Sequence, residues 1–207
     1  GGSRDDDAGP DAVGADRARR PRSTHRVSNT SENSPQVSQA DLDAVAAQLG
    51  REPRGVIEIA YRSPDGQPGV VKTAPKLPDG TPFPTLYYLT DPRLTAEASR
   101  QESAGVMREM TERLTQDPEL AAAYRRAYES YLAERDAIES LGTDFAGGGM
   151  PDRVKCLHVL MAHSLAKGPG VNPLGDESVA LAGHGKLRGT AIPADWPGID
   201  DADNTDR

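Results

Sequence analysis

Cys156, His158 and His163 fall within one eight-residue stretch, CLHVLMAH, and are the first residues to weigh for chemistry. On a helix, Cys156 and His163 share a face to within about 20° but stand roughly 10.5 Å apart along the axis. That is too far for one tetrahedral metal. His158 and His163 are five residues apart rather than four, and no Glu follows His158, so this is not the zinc-protease helix pattern. A nucleophilic thiol needs surroundings that favour the thiolate. A helix starting at Pro151 puts Cys156 in its second turn, beside Val159 and Leu160, beyond most of the dipole's reach. The reading that follows is a buried thiol and two hydrogen-bonded core histidines.

Just upstream, Gly147-Gly148-Gly149 leads into Asp152, Arg153 and Lys155. A glycine run delivering free amides to a helix start with two cations nearby describes a site for a phosphate-type anion. The GxxxxGK[ST] spacing of a nucleotide loop is absent. An ordinary glycine hinge whose Arg153 pairs with an acid fits equally well, and both readings stay open. Downstream, the stiff loop Gly168–Glu177 (GPGVNPLGDE) carries Asn172, Asp176 and Glu177. Such groups can hold a cation or substrate, but capping a helix is their commoner use. There is no GxSxG, GxGxxG or calcium-loop spacing.

These residues need a scaffold, and periodicity supplies one. Ser38 can cap a helix carrying Leu42, Val45, Ala46 and Leu49 before Gly50 stops it. Residues 55–61 alternate as a strand, Ser63-Pro64-Asp65-Gly66 is turn chemistry, and Val70–Thr73 returns. Thr85–Thr90 makes a third strand of an antiparallel meander. Residues 95–115 read as one amphipathic helix. Asp117-Pro118-Glu119 starts another that carries Tyr124, Tyr128 and Tyr131. This stripe is either a packed helical hairpin or a surface for a partner, with packing favoured. Residues 151–167 read as a helix with no charge between Cys156 and Ala166, so it is buried on all sides and central. Asn172-Pro173 caps a last helix through Leu181.

Leu, Ile, Val and Phe make up about 17% of the 207 residues, below the ~20% at which whole-chain disorder becomes plausible. The dilution comes from two polar ends, 1–37 and 184–207, expected as disordered tails around one domain at 38–183. In the second tail Trp196 is the exception, since a lone Trp often docks. Arg17–Arg22 is balanced by acids in the same tail. The net charge of −8 argues against nonspecific nucleic-acid or anionic-membrane binding. No apolar run is long enough to cross a bilayer, and no signal peptide is present. A single cysteine allows no internal disulfide and no Cys-rich zinc framework. A cytoplasmic protein is expected. The chain opens at Gly1 without Met, as a processed or truncated start would.

Three strings, Asp79–Tyr88 (DGTPFPTLYY), Gly148–His158 (GGMPDRVKCLH) and Gly168–Glu177, resemble the actinobacterial family catalogued as domain of unknown function 501. The resemblance spans about residues 39–182. It implies a soluble bacterial protein of unassigned activity, often encoded near a septum-formation protein and an exopolyphosphatase. Many members read Arg-Cys-Pro-Cys-Gly and Thr-Cys-Pro where this chain has Arg62-Ser63-Pro64-Asp65-Gly66 and Thr90-Asp91-Pro92. With Cys156 the usual pattern supplies four thiolates, which suggests zinc or an iron–sulfur cluster in those relatives. This chain keeps one, so an iron–sulfur cluster is not expected and structural zinc is disfavoured. A weaker mixed site would draw on Asp65, Asp91, Cys156 and His158.

The expectation is an α+β domain, a small antiparallel three-stranded sheet packed against four or five helices. Two functions follow. One is a domain binding a small molecule or phosphate-type anion at the 147–155 turn and helix start, through Arg153, Lys155, His158, Asn172, Asp176 and Glu177. It requires Arg153 and Lys155 to point into a pocket. The other is a noncatalytic interaction module for a cell-division or envelope partner, and it requires the tyrosine stripe to be exposed. Whether the protein is an enzyme, and its oligomeric state, do not follow from the residues.

Overall fold

A computed structural model describes residues 36–142 and 149–198, residues 149 and 150 by backbone alone. The expected tail 1–35, the Gly147-Gly148 part of the glycine run and residues 199–207 lie outside the described residues.

Helix α1 (Gln39–Leu49) starts where Ser38 accepts the Asp41 amide and stops at Gly50, whose φ of 71° suits glycine. Strands β1 (Val56–Arg62), β2 (Pro68–Thr73) and β3 (Tyr87–Leu89) form an antiparallel sheet in that order. The β1–β2 turn closes through Ser63 N–H to the Gln67 carbonyl. Asp91 caps α2 (Pro92–Ser103), with Pro92 at the first helical position where its missing N–H costs nothing.

The helix expected over 95–115 is two. α2 ends at Ser103, and α3 (Val106–Gln116) begins after Gly105, whose φ of 84° a continuous helix does not allow. α4 (Pro118–Ile138) begins as expected, Asp117 accepting the Glu119 and Leu120 amides. Its stripe is packed: Tyr124 and Tyr131 are each 3% exposed, and Tyr128 lies against the core.

The main correction falls at 149–156. Instead of a helix from Pro151, a short hairpin of β4 (Gly149–Met150) and β5 (Arg153–Val154) precedes α5 (Leu157–Lys167). Pro151 turns this hairpin, and the helix begins only where the uninterrupted apolar sequence does. Seven of α5's eleven residues are buried. It packs on β3 on one side and on α6 (Pro173–Ala182) on another. The α5–α6 crossing is so close that a Cβ on Gly175 would overlap the Leu160 carbonyl and the Ser164 hydroxyl. Only glycine fits there.

The domain does not stop at residue 183. Residues 184–198 fold back, burying Ala191, Ile192 and Trp196 in the main core with Met161, Ala162, Leu165 and Val179. The Trp196 indole donates to the Asp176 carbonyl at 3.1 Å, and Tyr61 donates its hydroxyl to the Ala191 carbonyl at 2.7 Å. The expected tail is therefore partly core, because a few large side chains anchor it without any periodic pattern. Six helices and five strands are present among the described residues, and the α+β class stands. No helix there is long and apolar enough to cross a membrane.

Trp196→Ala should cost about 3–5 kcal/mol, read as a lowered urea midpoint. A change within error would show that the 184–198 segment does not support the core.

Candidate functional site

The corrected start of α5 moves Cys156 from a second turn to the N-cap, where its side chain makes no capping hydrogen bond. Capping comes from another helix: Glu102, near the end of α2, accepts the Leu157 N–H on Oε1 at 2.9 Å. The same oxygen lies 3.0 Å from His158 Nδ1. With two donors converging on one carboxylate oxygen, Nδ1 carries the proton and Nε2 is left to interact with Ser99 Oγ at 3.2 Å. One donor atom from each of Glu102, Cys156 and His158 lies within 4.8 Å of the others, and all three residues are partly exposed.

Cys156 and His158 form part of the wall of an open cavity of about 390 Å³, lined also by Thr85, Tyr87, Tyr88, Leu89, Thr95 and Val159. The wall mixes apolar surface from β3 and α5 with hydroxyls, the usual composition of a small-molecule pocket. His158 is pushed up to about 9, chiefly by the Cys156 side chain beside it and then by Glu102, against the effect of burial. An imidazolium held by a carboxylate and a thiol therefore faces the cavity at neutral pH.

Glu102, Cys156 and His158 form the one compact metal-type donor group among the described residues. Glu102 and His158 are already joined through the Nδ1 proton, so a cation would have to displace it. The mixed set of Asp65, Asp91, Cys156 and His158 does not assemble. Asp65 and Asp91 instead grip Arg93: its guanidinium reaches Asp65 Oδ2 at 2.6 Å and Asp91 Oδ2 at 2.7 Å. Ser63 Oγ adds a 3.4 Å contact to Asp91. Positions 63, 65 and 91 thus do converge, around a guanidinium, while Cys156 sits with Glu102 and His158.

The remaining expected residues lie outside the lining of this cavity. Arg153 and Lys155 are exposed and do not line this cavity, Lys155 standing immediately before the Cys156 N-cap of α5. Asn172 caps α6 by accepting the Gly175 N–H, and its Nδ2 meets His163 Nδ1 at 3.2 Å. Asp176 accepts the Gly170 N–H at 2.8 Å, and burial pushes its carboxyl up. Glu177 binds Arg113 through two bonds of 2.6 and 2.7 Å. His163 is a core histidine, 2% exposed, stacked on Tyr87 and edge-on to Tyr131. Its burial pushes it down to about 4, Lys167 acting in the same sense and Glu134 opposing.

Glu102 and Ser99 went unnoticed in the sequence because both belong to a charged helix far along the chain from Cys156. A local signal does exist: Thr95, Ser99 and Glu102 fall at i, i+4 and i+7, a polar stripe on the face that packs on α5.

A family model described as Protein of unknown function (DUF501) matches residues 59–180. No curated protein and no solved structure matches the chain.

The two histidines should titrate in opposite directions from the ordinary value of about 6.5. His158, raised, contributes stability that is complete below about pH 6.5 and lost as pH rises through about 9. His163, depressed, contributes stability that is complete above about 6.5 and lost as pH falls through about 4. NMR titration of the imidazole protons should give midpoints near those values. Two midpoints near 6.5 would refute the arrangement.

Proposed function

The chain belongs to DUF501, a family of proteins of unknown function, and on that premise we propose that it binds a small molecule in the cavity between β3 and the start of α5. The observation that carries this is a cavity of about 390 Å³ with an imidazole and a thiol on its wall. His158, raised to about 9, offers a positive charge and a donor to a polar or anionic end of the ligand. Tyr87, Leu89 and Val159 offer apolar surface to its body. Small-molecule or anion binding is thus kept as a function, with its place moved from the 147–155 turn to this cavity.

A free thiol at the site suits a reducing compartment, so a cytoplasmic location is part of the proposal. The interaction-module reading has lost the surface it required, because two of its three tyrosines are buried and the third packs on the core.

A thermal-shift series with phosphate, polyphosphate, nucleotides and small carboxylic acids with their esters tests the proposal. A ligand that binds the folded state raises Tm with the logarithm of its concentration over Kd. At least one compound should do so, and Thr95→Trp, which fills the cavity, should abolish the rise. No rise with any compound at millimolar concentration would overturn the proposal. So would a rise that survives Thr95→Trp and disappears when Arg153 and Lys155 are both changed to Ala, which would return the site to the turn.

A further inference from the structure

We infer that Cys156 is a nucleophile whose thiol, beside the His158–Glu102 pair on the cavity wall, accepts an acyl group from a small ester or thioester bound there. This rests on the cavity being a ligand site.

Stability gives no reason for sulfur at this position. An N-cap calls for Ser, Thr, Asp or Asn, yet Cys156 makes no capping bond, and Glu102 from another helix takes over that duty. Nor is the thiol packed away, since Cys156 is partly exposed and free. Its surroundings, by contrast, gather the three groups of a covalent catalyst, a thiol, an imidazole and a carboxylate, with one donor atom of each within 4.8 Å of the others. Glu102 holds His158 Nδ1 at 3.0 Å and is itself held by a backbone amide, so the ring orientation is set by the α2–α5 packing. Ser99 Oγ lies 3.2 Å from Nε2, the ring nitrogen not held by Glu102 and the one whose proton goes to the leaving group. The cavity in front offers apolar surface for an acyl body.

The chemistry balances without a cofactor. With His158 already protonated, Sγ reacts as the thiolate and adds to the carbonyl carbon, forming an S–C bond as the carbonyl π pair moves onto oxygen. The bond from that carbon to the leaving oxygen or sulfur breaks, and the leaving group takes the proton from the imidazolium. Water then adds to the Cys156 thioester, giving a proton to the imidazole. The S–C bond breaks and Cys156 departs as the thiolate, restoring its pairing with the imidazolium. The net change is ester plus water to acid plus alcohol, or thioester plus water to acid plus thiol.

The full chain is mixed with p-nitrophenyl acetate, and nitrophenolate release is followed together with the mass of the Cys156 peptide. The expected result is one acetyl group on Cys156, formed on the order of 100-fold faster than on N-acetylcysteine at the same pH. Cys156→Ser should remove the adduct. His158→Gln should return the rate to that of the free thiol, and Glu102→Gln, which keeps an oxygen for the Leu157 amide, should slow it less. A wild-type rate equal to that of N-acetylcysteine overturns the inference, as does an unchanged rate in His158→Gln. Should His158→Gln fail to fold, the comparison with N-acetylcysteine decides alone. Ligand-induced Tm shifts together with a free-thiol acetylation rate would leave the binding site standing and remove only the nucleophile.

Discussion

The structure turns on the burial of α5. Eleven residues are too few for a stable isolated helix, so its persistence rests on the surfaces laid against it. With seven of its residues buried, it needs a partner in nearly every direction. β3, α2, α6 and the 184–198 segment supply them. Its first amide cannot turn to water inside this packing, so a buried helix end must find an acceptor from elsewhere in the chain. Glu102 meets that need, and in doing so brings a carboxylate against His158 and next to Cys156. The candidate site is thus a by-product of closing a buried helix, set at the margin of the core where all three residues stay partly exposed.

Much of the scaffold was legible from local chemistry. Ser38 with Gly50, Asp117 with Pro118, and Asn172 with Pro173 each mark a helix end with a cap that the structure uses. The β1–β2 turn was readable from Ser63-Pro64-Asp65-Gly66, because turn residues act within a few positions of one another. Two local misreadings have physical sources. Pro151 suits the first position of a helix but suits a hairpin turn as well, and nothing nearby chooses between them. The 95–115 pattern keeps its amphipathic character across Gly105, so periodicity alone does not reveal that the backbone there takes a left-handed conformation.

The parts that stayed hidden depend on distant partners. Leu187, Ile192 and Trp196 show no period, and each is placed by a socket that other segments build. Likewise, Cys156 gained its setting only when α2 delivered Glu102 and Ser99. The sequence drew attention to the stretch around Cys156 and His158, but read the thiol as buried and centred an anion site on Arg153 and Lys155. Arg153 lies in β5 and Lys155 between that strand and the Cys156 N-cap, both exposed, whereas Cys156 and His158 just beyond them line the cavity.

The sheet has consequences for how copies of this protein meet. β3 is one of its edges, and such edges invite pairing with strands of other molecules. Here the Tyr131 hydroxyl accepts the Leu86 and Tyr87 amides at 2.6 and 3.3 Å, so a side chain from α4 occupies donors that a foreign strand would seek. β1, the opposite edge, breaks register against β2 at three places, which twists it away from a flat template. Sheet growth by strand addition is discouraged at both margins. A chain lean in aliphatic residues thus keeps its few strands from becoming a route to fibrous self-association.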